Sequence, residues 1–190
     1  RHTLGDHVTQ KGSLVNPERL RFDFSHFEPV TPEQIAHIET LVNEQIRLNN
    51  PASATVMAKD EAVKAGAMAL FGEKYGDEVR VLKIGEFSTE LCGGTHVDRA
   101  GDIGILKIIS ETGVAAGVRR IEAVTGANAL DWITSRDKAL AIIAGLLKSA
   151  PDKAPEKLEQ LLDKTRNLEK QLEKIQAQLA SSAGDELSGK

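Results

Sequence analysis

One cysteine, 4% aromatic residues and no long hydrophobic run mark this 190-residue sequence. A lone cysteine excludes an internal disulfide framework and a self-contained zinc module of the two-cysteine, two-histidine or four-cysteine kind. So few aromatics argue against a stacking platform for single-stranded bases. The longest apolar run, Ala139 to Leu147, falls far short of the roughly 20 residues that span a bilayer, so no membrane partner is expected. There is no basic excess either. Lys and Arg number 24 against 28 Asp and Glu, a net charge of -4, which argues against non-specific nucleic-acid binding while leaving room for a local charged-ligand site. No signal peptide is visible, since Arg1 leads into a polar stretch. The first residue is Arg rather than Met, and the expectation is a piece of something longer.

What is present is ordinary globular material. Hydrophobic residues make up 41% and there are 16 glycines, a balance far from that of disordered chains. The length suits one domain of about 130 residues with an appendage, or two small domains. Character changes near Pro151, after which glycine nearly vanishes and charge dominates.

Residues 8–30 read as β structure. Val8-Thr9-Gln10 is a short β-branched run, Gly12-Ser13 a turn, and Leu20 to Ser25 alternates apolar and polar at period two. Thr31-Pro32-Glu33-Gln34 is a helix start, with Thr as cap, Pro first and Gln three after the cap. Ile35, Ile38, Leu41, Val42 and Ile46 continue it at helical spacing until Asn49-Asn50-Pro51. Thr55-Val56-Met57 reads as a strand. Asp60 is expected to cap a second helix toward Leu70-Phe71, and Val79 to Ile84 is a buried strand. Residues 85–104 are glycine-rich loop. Ile105 to Ser110 and Val118 to Val124 are expected to be strands joined through Glu111-Thr112-Gly113. A helix through Leu130, Trp132 and Ile133 follows. The predicted class is α+β, a mostly antiparallel sheet packed with helices, followed by a helical hairpin or coiled-coil segment.

From Ala139 the pattern is helical, with Pro151 and Pro155 predicted to break it into two helices. Leu158, Leu161, Thr165, Leu168, Leu172, Ile175 and Leu179 then alternate steps of three and four, a heptad seam. So narrow a stripe is marginal alone and predicts helix-mediated self-association.

Chemistry concentrates in Phe87 to His96. Cys92 and His96 enclose Gly93-Gly94-Thr95, and paired glycines let a backbone fold tightly enough for both side chains to point inward. Thiolate and imidazole suit zinc, but a catalytic zinc needs three protein ligands and an open position. A buried thiol beside a histidine, and a nucleophilic Cys–His pair, are the other readings of the same residues.

Glu86 to His96, Gly101 to Gly104 and Ala116 to Gly126 together closely resemble the editing domain of bacterial alanyl-tRNA synthetase. Thr9 to Ser13, Leu20 to His26 and Gly66 to Tyr75 resemble the same family. Related domains of threonyl-tRNA synthetase and of free-standing editing proteins are less similar. The resemblance implies an editing domain at 1–135, a helical linker or coiled coil at 136–182 and a flexible tail at 183–190. It implies hydrolysis of Ser- or Gly-mischarged tRNA(Ala), a tRNA 3′ end as partner, zinc as cofactor and a cytoplasmic location. ATP-dependent ligation belongs to another domain of such enzymes. Rival expectations are a non-catalytic tRNA-docking or dimerisation fragment and a free-standing deacylase.

The resemblance makes Cys92 and His96 zinc ligands and Gln10 the catalytic-pocket residue, its amide orienting water or reading a seryl hydroxyl. Ser13 and Thr95 are further pocket candidates. Arg119 and Arg120 are candidates for tRNA phosphates, or else strand charges and salt-bridge partners. His26 and His37 read as structural or surface residues, and Asp102 as a turn residue. The family's other two ligands form an H-x-x-x-H helix that precedes this segment. His2 and His7 are five apart and do not align with it, so this chain alone is expected to hold zinc weakly and to show little deacylase activity.

Overall fold

The computed structural model describes residues 1–67 and 76–188. Contacts divide the chain into two units, Arg1–Trp132 and Ile133–Lys190.

In the first unit, strands β1 (Gln10–Val15) and β2 (Leu20–Ser25) form a hairpin. Gly12-Ser13, expected as a turn, lies inside β1 instead. The chain turns at Asn16, whose side-chain oxygen accepts the amides of Glu18 (3.1 Å) and Arg19 (2.8 Å), the local bonding that suits Asn to turns. Strands β6 (Leu106–Ala115) and β7 (Val118–Thr125) complete an antiparallel sheet of order β1-β2-β7-β6. Here too the turn differs from expectation. Glu111-Thr112-Gly113 is strand, and the hairpin closes at Ala116-Gly117, where Gly117 has φ +69°. A Cβ on Gly113 would lie 2.9 Å from the end of the Arg119 side chain on the partner strand.

Helix α1 (Pro32–Leu48) starts as expected: Thr31 Oγ1 accepts the Gln34 amide and Gln34 returns a bond to the Thr31 amide. It ends at Asn49 in the left-handed region, φ 52°. α1 also closes the sheet. Asn43 bonds both the amide and the carbonyl of Leu106, and Glu39 accepts the Ile108 amide at 2.6 Å while pairing with Lys107 at 2.8 Å. Side chains one helical turn apart thus take the place of a neighbouring strand, which protects an edge that would otherwise invite pairing.

The other sheet has order β3-β4-β5, from β3 (Ala52–Ala58), β4 (Glu78–Ile84) and β5 (Ser88–Leu91), all antiparallel. Strand β5 falls in a stretch expected to be loop. It is four residues long, too short for an alternating pattern to show among glycines. Helix α2 (Lys59–Lys64) begins after Ala58, with Asp60 inside its first turn rather than at the cap. The expected continuation to Leu70-Phe71 lies outside the described residues. Ala62, Ala67, Val79, Val81 and Leu91 pack as one apolar cluster.

Helix α3 (Gly126–Leu146) is continuous where two segments were expected, and the boundary between units falls within it. In the second unit, α4 runs Ala154–Ser188, beyond the tail boundary expected at 183. The helical pattern is broken into two helices around Pro151 and Pro155, as expected, and Pro155 sits in the first turn of α4, where proline lacks only an amide that would be unpaired anyway. Leu158, Leu161, Leu168, Leu172, Ile175 and Leu179 are all exposed along it. Among the described residues no helix is long and apolar enough to cross a membrane.

Candidate functional site

Two clusters carry polar chemistry. The first is on β1. Gln10 faces Phe24 of β2 and Ser13 faces Phe22, and the pairing slips by one residue between Gln10 and Gly12. In a regular strand, residues three apart point to opposite faces. The extra residue of this bulge cancels the alternation and puts Gln10 and Ser13 on one side. Gln10 Nε2 donates to Ser13 Oγ at 3.1 Å. That leaves the Gln10 carbonyl oxygen as an acceptor and the Ser13 hydroxyl hydrogen as a donor.

The second cluster follows β5. Cys92 extends the β4–β5 pairing, its amide donating to the Arg80 carbonyl at 3.1 Å. The chain then leaves the sheet through Gly93-Gly94-Thr95-His96. Neither glycine has a positive φ, so backbone freedom is not what glycine provides here. Space is. A Cβ on Gly94 would stand 3.8 Å from Cys92 Sγ and 3.8 Å from His96 Cε1. Thiol and imidazole therefore converge on the one side of the loop where Gly94 has no side chain. Arg80 spans the loop from β4, its Nη1 donating to the carbonyls of Cys92 (3.0 Å) and Gly94 (2.7 Å). Thr95 is exposed in the same loop.

This cradle and its sulfur and nitrogen donors fit a zinc ion. Cys92 and His96 are the residues that would hold it. Among the described residues no group of three or more His, Cys, Asp or Glu side chains could hold a metal ion, so Cys92 and His96 have no further donor of these kinds grouped with them there. No hydrogen bond joins Gln10 or Ser13 to the Cys92–His96 loop among the described residues.

Arg119 and Arg120, adjacent on β7, point to opposite faces. Arg119 makes two bonds of 2.6 Å to Glu111, and Arg120 bonds Asp23 at 2.7 and 2.8 Å. Both guanidinium forks are thus matched to carboxylates. Asp23 is 9% exposed. The hydrogen bonds from Arg120 hold its carboxyl below the ordinary range against the opposing effect of burial, with the Arg120 and Arg21 charges assisting. The same bonds push the arginines upward, by Glu111 for Arg119 and by Asp23 for Arg120. A phosphate contact at either arginine would have to compete with a bidentate carboxylate.

Sequence reasoning missed two relationships. Arg80 carried no motif of its own. His26 finds a partner in His7, with ring nitrogens 2.8 Å apart and ring centroids 5.1 Å apart. The hairpin register that joins them, Gln10 opposite Phe24, is the signal that could have paired them. His2 lies 5.6 Å from the Phe87 ring. Asp102 accepts the Arg99 amide at 3.0 Å, a turn role as expected.

The segment that builds β4, β5, the Cys92–His96 loop and the β6–β7 hairpin defines the class. Residues 79–122 match the family described as the threonyl and alanyl tRNA synthetase second additional domain. The chain is, over its whole length, a relative of the bacterial alanine–tRNA ligases. It is 60% identical to that of Methylococcus capsulatus over 190 residues, covering all of this chain and 22% of that protein. It is 57% identical to that of Bordetella petrii over the same span, and 59% identical to that of Saccharophagus degradans over 187 residues. The chain spans about a fifth of the length of these relatives (22% of the first two).

Proposed function

We propose that this chain is the editing portion of an alanine–tRNA ligase, hydrolysing the ester that joins Ser or Gly to the 3′ end of tRNA(Ala). The observation that carries this reading is the convergence of Cys92 and His96 across Gly94, within the matched segment. The need is physical, because one small side-chain difference is worth only about 1–3 kcal/mol in a binding pocket. A second site that destroys the wrong ester supplies the remaining discrimination. The compartment this reading implies is the cytoplasm.

The reaction adds water to the aminoacyl carbonyl, breaks the ester C–O bond and releases the amino acid and a free tRNA hydroxyl. A bound zinc supplies Lewis acidity or substrate orientation. The chain's own residues do the rest. Gln10, with Nε2 held by Ser13, presents its carbonyl oxygen as an acceptor for water or for a seryl hydroxyl. Ser13 and Thr95 offer further hydroxyls. The test is Ser-tRNA(Ala) deacylation by the ligase that contains this segment. Gln10→Ala and Cys92→Ala are expected to slow it and to spare alanylation; unchanged deacylation in both variants refutes the reading.

A second reading concerns α4, on which an exposed leucine stripe favours pairing with a second copy. In a parallel, in-register pair Lys164 of one helix faces Glu169 of the other, and the remaining flanking positions bring no like charges together. Sedimentation of the chain against its Leu168→Lys, Leu172→Lys variant tests it. Identical monomers remove the case.

A further inference from the structure

We propose that Arg80 is the positioning residue for the Cys92–His96 pair, holding the loop between them so that thiol and imidazole face each other; its functional meaning rests on the proposed zinc reading. Three bonds tie Arg80 to this loop. Its carbonyl accepts the Cys92 amide at 3.1 Å. Its Nη1 donates to Cys92 O at 3.0 Å and to Gly94 O at 2.7 Å. Among the described residues no other hydrogen bond reaches the backbone of residues 93–97.

The bonding matters because of what the loop is made of. Glycine loses more conformational freedom on ordering than any other residue, and Gly93 and Gly94 are consecutive. Without an external tie, the two ligands would sit at the ends of the most flexible backbone the chain can offer. Arg80 answers this from a strand, where its own backbone is paired with β3 opposite Val56. One planar nitrogen with two hydrogens bridges two carbonyls whose spacing sets the loop's curvature, a fixed geometry that a lysine ammonium on a flexible stem does not reproduce. Groups that orient metal ligands without touching the metal typically alter affinity by about 10–100-fold when removed. Arg80 meets that description through the main chain rather than through a ligand side chain.

The test uses Arg80→Met and Arg80→Lys in the whole 190-residue chain. Backbone order parameters report local rigidity on the fast timescale, about 0.85 when rigid and below about 0.6 when flexible. Residues 93–96 are expected to move from the first regime toward the second in Arg80→Met, with β4 and β5 unchanged and the thermal midpoint nearly so. Alkylation of Cys92, the sole cysteine, is expected to accelerate. Arg80→Lys is expected to fall between. Unchanged order parameters at 93–96, or a loss spread evenly through β3, β4 and β5, overturns the proposal. Cobalt(II) titration separates this role from the zinc reading. In the ligase that contains this segment a cobalt–thiolate absorption is expected, with an affinity about ten-fold lower in Arg80→Met. No such absorption at any cobalt concentration, with the local loosening still seen, faults the zinc reading and supports the positioning role by itself.

Discussion

Gln10 donates its side-chain amide to Ser13 across a β-bulge, at 3.1 Å, although the two residues lie three apart in one strand. The bond takes one hydrogen of the amide nitrogen and leaves the carbonyl oxygen free to accept. Loss of this acceptor is expected to reduce Ser-tRNA(Ala) hydrolysis about ten-fold in Gln10→Ala, the worth of one ordinary hydrogen bond. Ser13→Ala is expected to have a smaller effect, because it removes the partner and not the acceptor. Deacylation assays of the containing ligase, with alanylation measured alongside, check both.

Gly94→Ala separates fold from site. The added methyl would make ordinary contacts of 3.8 Å with Cys92 Sγ and His96 Cε1. Stability is therefore expected to change by no more than about 0.5 kcal/mol. The methyl nevertheless fills the space toward which both donors converge, and cobalt(II) binding should fall to background. Denaturant unfolding and cobalt absorption on one preparation decide the matter.

The Asp23–Arg120 pair predicts a pH dependence with a definite sign. The folded carboxyl lies below its ordinary value of 3.8. Its stabilisation is complete above that value and is lost as pH falls through the lower, folded one. Asp23→Asn is therefore expected to be less stable than the parent at neutral pH. The gap should close as pH drops below 3.8. Urea unfolding of both proteins from pH 7 to about 2.5 measures it.

Asn43→Ala tests the helix that closes the sheet edge. It strips partners from both the amide and the carbonyl of Leu106, which is expected to cost about 1–3 kcal/mol in the urea midpoint. The exposed β6 edge should also raise self-association at high concentration. Asn43→Asp keeps an acceptor for the amide and is expected to lose less.

Metal content gives a further check on the site. Two donors leave a tetrahedral ion half-coordinated, so the 190-residue chain alone is expected to retain little zinc after a chelator wash. Elemental analysis reads this directly, and a stoichiometric ion would refute it.

The heptad seam, the Thr31–Gln34 capping box, the β2 and β4 strands and the Cys92–His96 loop were all legible in the sequence. Each depends on residues near in the chain, where spacing and local hydrogen bonding decide the outcome. The turns were less legible. Gly12 and Gly113 read as turn residues because glycine is permissive anywhere. Pairing across strands set one opposite Asp23, just past a bulge, and the other opposite Arg119.

What sequence by itself determined is the local chemistry: the β2 and β4 strands and the capped start of α1, which thiol and imidazole sit around a pair of glycines, and which helix face is apolar. Only the tertiary structure decided which distant residues complete those features. Arg80 reaches the Cys92–Gly94 carbonyls because β4 and β5 are antiparallel. Asp23 takes the Arg120 fork because β2 lies beside β7. His7 meets His26 because the first hairpin closes at Asn16. Each partnership is set by strand register, a cooperative property of the whole sheet, and the spacing of neighbouring residues does not carry it.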